Sequence, residues 1–299
     1  MTARPTGRRA GGERGAGEAD RRTTEERVAA EQVVGERLTT EGVTREGVGT
    51  ERVVRERRHT LYFLDEIRPF SPVFLDTEVN MSAVLAHRRA GRAQGLRRSV
   101  VTYVVRAAAG VLAVHPEANA AIRGWFNPRV ARFGRVHAKI TLDKTVGGRR
   151  VVLSAVLRDV DRADLDEVQR QVERFRDGDA ETMDEFAGAR LLHRLPVLVG
   201  RVAYRRVVRP LRRRPELFGT FAVTSLGHRP VDGFYSVGGT TVTLGVGRIA
   251  DRPVVLDGVL GVAPTMRLSL AFDHRVIDGA EAADVLAEIK DALEKAAEF

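Results

Sequence analysis

The segment Leu268–Glu294, LSLAFDHRVIDGAEAADVLAEIKDALE, decides how the chain is read. It begins inside an alternating pattern. Met266, Leu268, Leu270 and Phe272 are separated by Arg267, Ser269 and Ala271, the period of a strand with one buried face. From Asp278 the period becomes helical, with Leu286, Ile289 and Leu293 forming an apolar stripe. Asp278 stands where an N-cap is expected, and Glu281 follows at capping-box spacing. A strand thus hands His274 to a tight loop and a helix takes over at once. Such loops commonly present reactive side chains.

Working outward, the composition restricts the classes of function. The 299 residues are 43% hydrophobic, enough for a sizeable core, and contain no cysteine. Disulfides, thiolate metal sites and a cysteine nucleophile are therefore excluded. No apolar run approaches the roughly 20 residues of a membrane span, and the N-terminus lacks the apolar centre of a secretory signal, so a cytoplasmic protein is expected. The net charge is +9, made of 45 arginines and 4 lysines (49 together) against 40 acids. Outside one stretch the basic residues are interleaved with acids, and no nucleic-acid motif is present. This argues against a nucleic-acid partner.

Residues 1–58 differ from the rest. Glutamate recurs every fifth place from Glu26 to Glu56, with Val28, Val33, Leu38, Val43, Val48 and Val53 two places after the first six. A period of five matches neither helix nor strand, and no aromatic residue is present, so a disordered low-complexity tail is expected. From His59 to the C-terminus the pattern is globular. Val73 to Val79 reads as a strand, Ser82 to Ala93 as a helix capped by Ser82, and Ser99 to His115 as a longer apolar helix. Val136 to Leu142 and Val151 to Leu157 flank Gly147 and Gly148 as a hairpin. Asp161 to Arg176 reads as a charged amphipathic helix, and Phe221 to Thr224 and Thr240 to Val246 as further strands. Helices alternating with partly hairpin-joined strands predict a two-layer α/β sandwich on a mixed β-sheet.

LSLAFDHRVIDGAEAADVLAEIKDALE resembles the C-terminal signature of the acyltransferase components of 2-oxo acid dehydrogenase complexes, relatives of chloramphenicol acetyltransferase. FGTFAVTSLGH (Phe218–His228) is similar to that family's glycine-initiated strand and Ser/Thr-Leu-Gly turn. VVLSAVLRDVDRADLDEV, SPVFLDTEVNMSAVLAHRRA and VVTYVVRAAAGVLAVHPEANAAI resemble further segments, all in the family's order. The resemblance implies the chloramphenicol acetyltransferase-like fold over residues 59–299. It departs at 188–217, where the family has a short acidic connection. Here Arg190 to Arg214 holds nine arginines and no acid among leucines and valines. Such a stretch fits either an insertion packed on the domain's own surface or a peripheral contact with an anionic membrane.

By the same resemblance, His274 matches a general base that deprotonates a thiol such as that of coenzyme A. Histidine suits this because its ordinary pKa lies near neutrality. Thr224 takes the position of the family's oxyanion-donating hydroxyl, with Ser225 beside it. Asp278 matches a loop-orienting carboxylate whose expected cationic partner is Arg275 or a distant arginine. Asn119 lies in a shared motif and would serve folding or substrate contact. The other histidines (His59, His87, His115, His137, His193 and His228) read as surface or structural. The resemblance also implies a homotrimer with sites between subunits, coenzyme A or acyl-CoA as substrate, and no metal. The 58-residue tail is too short for a lipoyl domain, so no covalent lipoyl is expected. Lys144, in a partial match to a lipoylation motif, is expected to be unmodified. The acyl group would come from acyl-CoA, or from a lipoyl domain or acyl carrier on another chain. The alternative is a non-catalytic oligomeric scaffold that docks partners.

Overall fold

The computed structural model describes residues 50, 52–124, 126–256 and 258–296. The pentad repeat therefore lies almost wholly outside the described residues. The compact unit starts at Val54, and a 3-10 turn at Arg55–Arg57 leads into the first α-helix. Helical structure thus begins within the stretch that composition assigned to the tail.

Its elements run α1 (Arg58–Ile67), β1 (Pro72–Asn80), α2 (Ser82–Ala93), α3 (Val100–Val114), β2 (Ala120–Arg123), β3 (Arg129–Arg132), β4 (Ala138–Val146) and β5 (Arg149–Leu157). There follow α4 (Leu165–Asp177), α5 (Ala187–Arg194), α6 (Val197–Val208), α7 (Arg214–Phe218), β6 (Phe221–Ser225), β7 (Val242–Leu256), β8 (Val259–Asp273) and α8 (Gly279–Glu294). Six strands form one sheet in the order β1-β8-β7-β6-β4-β5, and β2 pairs with β3 separately. The pairs β7/β6 and β6/β4 are parallel and the others antiparallel, so the sheet is mixed as predicted.

Alternation along the strands sorts their side chains between two faces. Met266, Leu268, Leu270 and Phe272 of β8, Val242 and Leu244 of β7, and Phe221 and Val223 of β6 join one buried core. Helices α3, α4 and α8 supply its other half through Tyr103, Leu112, Val168, Ile289 and Leu293. At about 25 cal/mol per Å² of apolar area, burial of side chains this large is the main stabilising term. The opposite face of β4, β5 and β6 is covered by α1 together with α5, α6 and α7.

That cover answers where the arginine-rich stretch goes. It forms two helices broken at Leu195–Pro196, then a short third one, all packed on this domain. Arg201 pairs with Asp65 of α1, Arg209 reaches Glu66 at 3.2 Å, and Arg190 donates to the carbonyls of Ala180 and Met183. Leu198, Val199 and Val202 remain more than half exposed on the outer side of α6.

Two predicted caps differ. The carbonyl side-chain oxygen of Asn80, not Ser82, accepts from the Ser82 N–H at 3.0 Å, so Ser82 is the first residue of α2 rather than its cap. Asp278 has N-cap backbone angles, but its carboxylate makes no cap hydrogen bond. Two imidazoles draw the capping-box carboxylates away. Asp278 lies against His274, and Glu281 bonds His115 Nδ1 at 2.9 Å. The Ser99 cap on α3 forms as expected, accepting from the Thr102 N–H.

Gly219, two residues before β6, has φ +67, and a Cβ there would lie 2.8 Å from both the His137 carbonyl oxygen and the Lys139 nitrogen. Gly219→Ala is expected to destabilise the protein by roughly 2–3 kcal/mol, measured by urea denaturation, because it adds left-handed strain and displaces the β4/β6 pairing.

Candidate active site

His274 follows the last residue of β8, and its backbone N–H donates to the Ser71 carbonyl at 2.9 Å. The Val276 N–H returns to the Asp273 carbonyl, closing the turn. The imidazole is half-exposed and rests against the Phe272 ring, with centroids 5.4 Å apart. Its Nδ1 lies 3.5 Å from Asp278 Oδ1. With that nitrogen toward a carboxylate, Nε2 is the one left free to act as a base.

Arg275 is not the partner of Asp278. It pairs bidentately with Asp273, at 2.9 Å from Nε to Oδ1 and 2.5 Å from Nη2 to Oδ2, and its guanidinium stands over the Phe70 ring. The Asp273 carboxylate is buried and also accepts from the Ser71 N–H at 3.4 Å. Proximity decides this choice. Arg275 is two residues from Asp273 across the same turn, and a buried carboxylate needs a cation more than does Asp278, whose side chain is 90% exposed. Sequence reasoning passed over Asp273, although it stands at the end of a buried strand.

Thr224 sits on β6 opposite Gly245 of β7, which in turn faces Ser269 of β8. His274 lies five residues beyond Ser269. At about 3.4 Å per residue and two strand spacings of about 4.8 Å, the two backbones are about 20 Å apart. A single chain therefore does not bring His274 and Thr224 together. Ser225 half-turns away, accepting weakly from the Gly227 N–H at 3.5 Å. Asn119 is buried and its amide donates to the carbonyls of Phe133 and Arg135, which fixes the segment after β3.

Thr224 opens into a cavity of about 530 Å³ between the sheet and the arginine-rich helices. Its lining is mostly apolar, from Phe63 and Leu64 of α1, Leu192 of α5, and Ala203 and Val207 of α6. Lys139 projects into this space from β4 and is only 3% exposed. Its ammonium donates to the Gly238 carbonyl and lies over the rings of Phe63 and Phe218, at 4.8 and 5.1 Å. Burial, with a smaller contribution from the Arg214 charge, pushes this amine down to about 7. Neither Lys139 nor the cavity was anticipated from the sequence. A signal was present: in a chain of 45 arginines, one of only four lysines interrupts an apolar strand. Lysine can shed its proton on burial and arginine cannot.

The remaining histidines have packing partners or lie at the surface. His115 is held by Glu281 and Glu288, which raise its pKa against an opposing contribution from burial. His59 Nδ1 and His193 Nε2 are 2.9 Å apart, both pushed down, first by burial. Lys144 donates to the carbonyls of Arg176 and Gly178 at the end of α4. Among the described residues no cluster of metal-ligating side chains occurs, and no helix is long and apolar enough to cross a membrane.

Residues 216–299 match the family described as 2-oxoacid dehydrogenases acyltransferase (catalytic domain). The chain is 29% identical over 226 residues to the dihydrolipoyllysine-residue succinyltransferase component of the 2-oxoglutarate dehydrogenase complex of Cupriavidus necator, covering 73% of this chain and 46% of that one. It is 28% identical over 234 residues to the acetyltransferase component of the pyruvate dehydrogenase complex of Staphylococcus aureus, covering 74% and 45%. The dihydrolipoamide acetyltransferase structure from Azotobacter vinelandii shares the fold, with a TM-score of 0.63 at 20% identity over 84% of this chain and 93% of that one. The C-terminal part of the chain is thus similar to the catalytic domains of 2-oxoacid dehydrogenase acyltransferases. It spans about half the length of the curated relatives it matches.

Lys139 makes stability depend on pH. Below about pH 7 the folded and unfolded chains both hold its proton; between about 7 and the ordinary lysine range only the unfolded chain does, so stability rises with pH there. Lys139→Met is expected to remove a rise on the order of 2 kcal/mol between pH 7 and pH 9, read from urea midpoints of the variant and parent.

Proposed function

We propose that this protein transfers an acyl group between a thioester and an acceptor thiol or hydroxyl, in a homotrimer that joins His274 of one protomer to Thr224 of the next. The observation that carries the reading is the presentation of His274. A buried ion pair and two backbone hydrogen bonds fix the turn, yet the ring stays half-exposed with Asp278 near Nδ1. The distance of about 20 Å to Thr224 is too long for one reacting carbonyl to touch both residues, so a second copy has to complete the site.

The chemistry follows from these side chains. Nε2 of His274 takes the proton of the incoming thiol, such as that of coenzyme A, and the sulfur attacks the thioester carbonyl carbon. The carbonyl electrons move to oxygen, where the Thr224 hydroxyl donates a hydrogen bond to the tetrahedral oxyanion. Collapse re-forms the carbonyl and breaks the original carbon–sulfur bond. The leaving thiolate then receives the proton from the imidazolium, which returns to its neutral form. No protein nucleophile is required. The donor is acyl-CoA, or an acyl-lipoyl or carrier group brought by another chain.

His274→Ala is expected to lower kcat by about 10²–10⁴-fold in thiol exchange with acyl-CoA, and Thr224→Ala by about 10²–10³-fold. Asp278 is so exposed that Asp278→Asn should cost less than about tenfold.

A mixing experiment separates the shared site from a site within one chain. Equal amounts of His274→Ala and Thr224→Ala protein, denatured together and refolded, should regain about a quarter of the parent activity, because intact pairs then form across interfaces. No regain would refute the shared site. A parent trimer with no exchange activity and no coenzyme A binding by calorimetry would instead assign a partner-docking role.

A further inference from the structure

The arginine-rich helices have no part in the chemistry above, yet they enclose the space beside Thr224. The volume of about 530 Å³ lies in the range of small-molecule sites, far larger than a two-carbon acyl group needs. Its helical walls are apolar, with Phe63 from α1, Leu192 from α5, and Ala203 and Val207 from α6 facing a sheet floor that sets Thr141 and Thr224 beside Val152 and Ala222. The one buried charge, Lys139, already has the Gly238 carbonyl and two ring faces as partners, so the space does not call for an anionic ligand. The roof is the segment 188–217, where the chain departs from the family pattern.

We propose that the cavity roofed by α5 and α6 is an acyl-chain site that selects straight, apolar acyl groups of medium length, with the thioester carbonyl at Thr224. The inference rests on the acyl-transfer reading and adds a substrate class to it. At about 30 Å³ per water-sized group the space compares with roughly eighteen such groups, room for a chain of roughly eight to twelve carbons. Each methylene moved from water into the cavity strengthens binding about fourfold until the space is filled. Arg201, Arg209 and Arg190 turn to Asp65, Glu66 and backbone carbonyls, and aliphatic side chains of α5 and α6 line the cavity.

The test has two arms on the full-length protein. In the first, kcat/KM is measured for acyl-CoA esters from two to fourteen carbons with dihydrolipoamide as acceptor. The expected profile climbs at least a hundredfold from acetyl to a maximum between eight and twelve carbons. Ala203→Phe, which fills the cavity, moves the maximum at least two carbons shorter. Val207→Trp, at a half-exposed position, provides the same check should Ala203→Phe fail to fold.

In the second arm, dansyl-labelled undecanoic acid is titrated by fluorescence and displaced with decanoate. Micromolar binding that either variant weakens tenfold or more supports the site. A flat profile, an acetyl optimum or a profile unmoved by both substitutions overturns it. Absence of transfer from every ester overturns the acyl-transfer reading instead. The probe then decides the cavity alone: no probe binding, or binding indifferent to both variants, overturns the inference.

Discussion

The carboxylate of Asp273 is the constraint on which the rest of the site depends. It stands at the end of the interior strand β8, whose Leu268, Leu270 and Phe272 are fully buried. A charge so placed would be costly by several kcal/mol if unpaired, and Arg275 and the Ser71 N–H answer it from two different segments. Meeting that need ties the entry to β1, the end of β8 and the turn into α8 into one unit. His274 lies between the two ends of this ion pair. Its orientation therefore follows from the core rather than from its own weak contact with Asp278.

On the far face of the sheet the same physics works differently. Lys139 is buried without a carboxylate, so its amine is satisfied by a carbonyl and two ring faces and loses affinity for its proton. The rings belong to α1 and α7, and the cavity beside them is closed by α5 and α6. Arginines that look like a membrane-facing stripe in the sequence mostly bind this domain's own acids and carbonyls, while Leu198, Val199 and Val202 face outward. The segment is therefore both a cover for the sheet and an apolar outer surface.

The separation of His274 from Thr224 follows from strand order. β7 lies between their strands, and the parallel β6/β7 pairing sets Thr224 toward the end of the sheet away from His274. No side-chain motion of ordinary size spans that distance. Oligomerisation is thus part of the proposed chemistry, and stability and activity would both depend on protomer concentration.

What the sequence by itself determined were the periodic features. The strand-to-turn-to-helix frame around His274, the β4/β5 hairpin and the mixed α/β class were legible because local periodicity and turn chemistry encode them. The contacts were not. Asp278 against His274 rather than Arg275, and Asn80 rather than Ser82 at the start of α2, are choices within four residues that periodicity leaves open, and the burial of Lys139 depends on Phe63 and Phe218, tens of residues away. Only the tertiary structure decided which charges had water and which needed a partner. That is why one aspartate of DHRVIDG anchors the turn while the other is nearly free, a distinction their spacing in the sequence could not make.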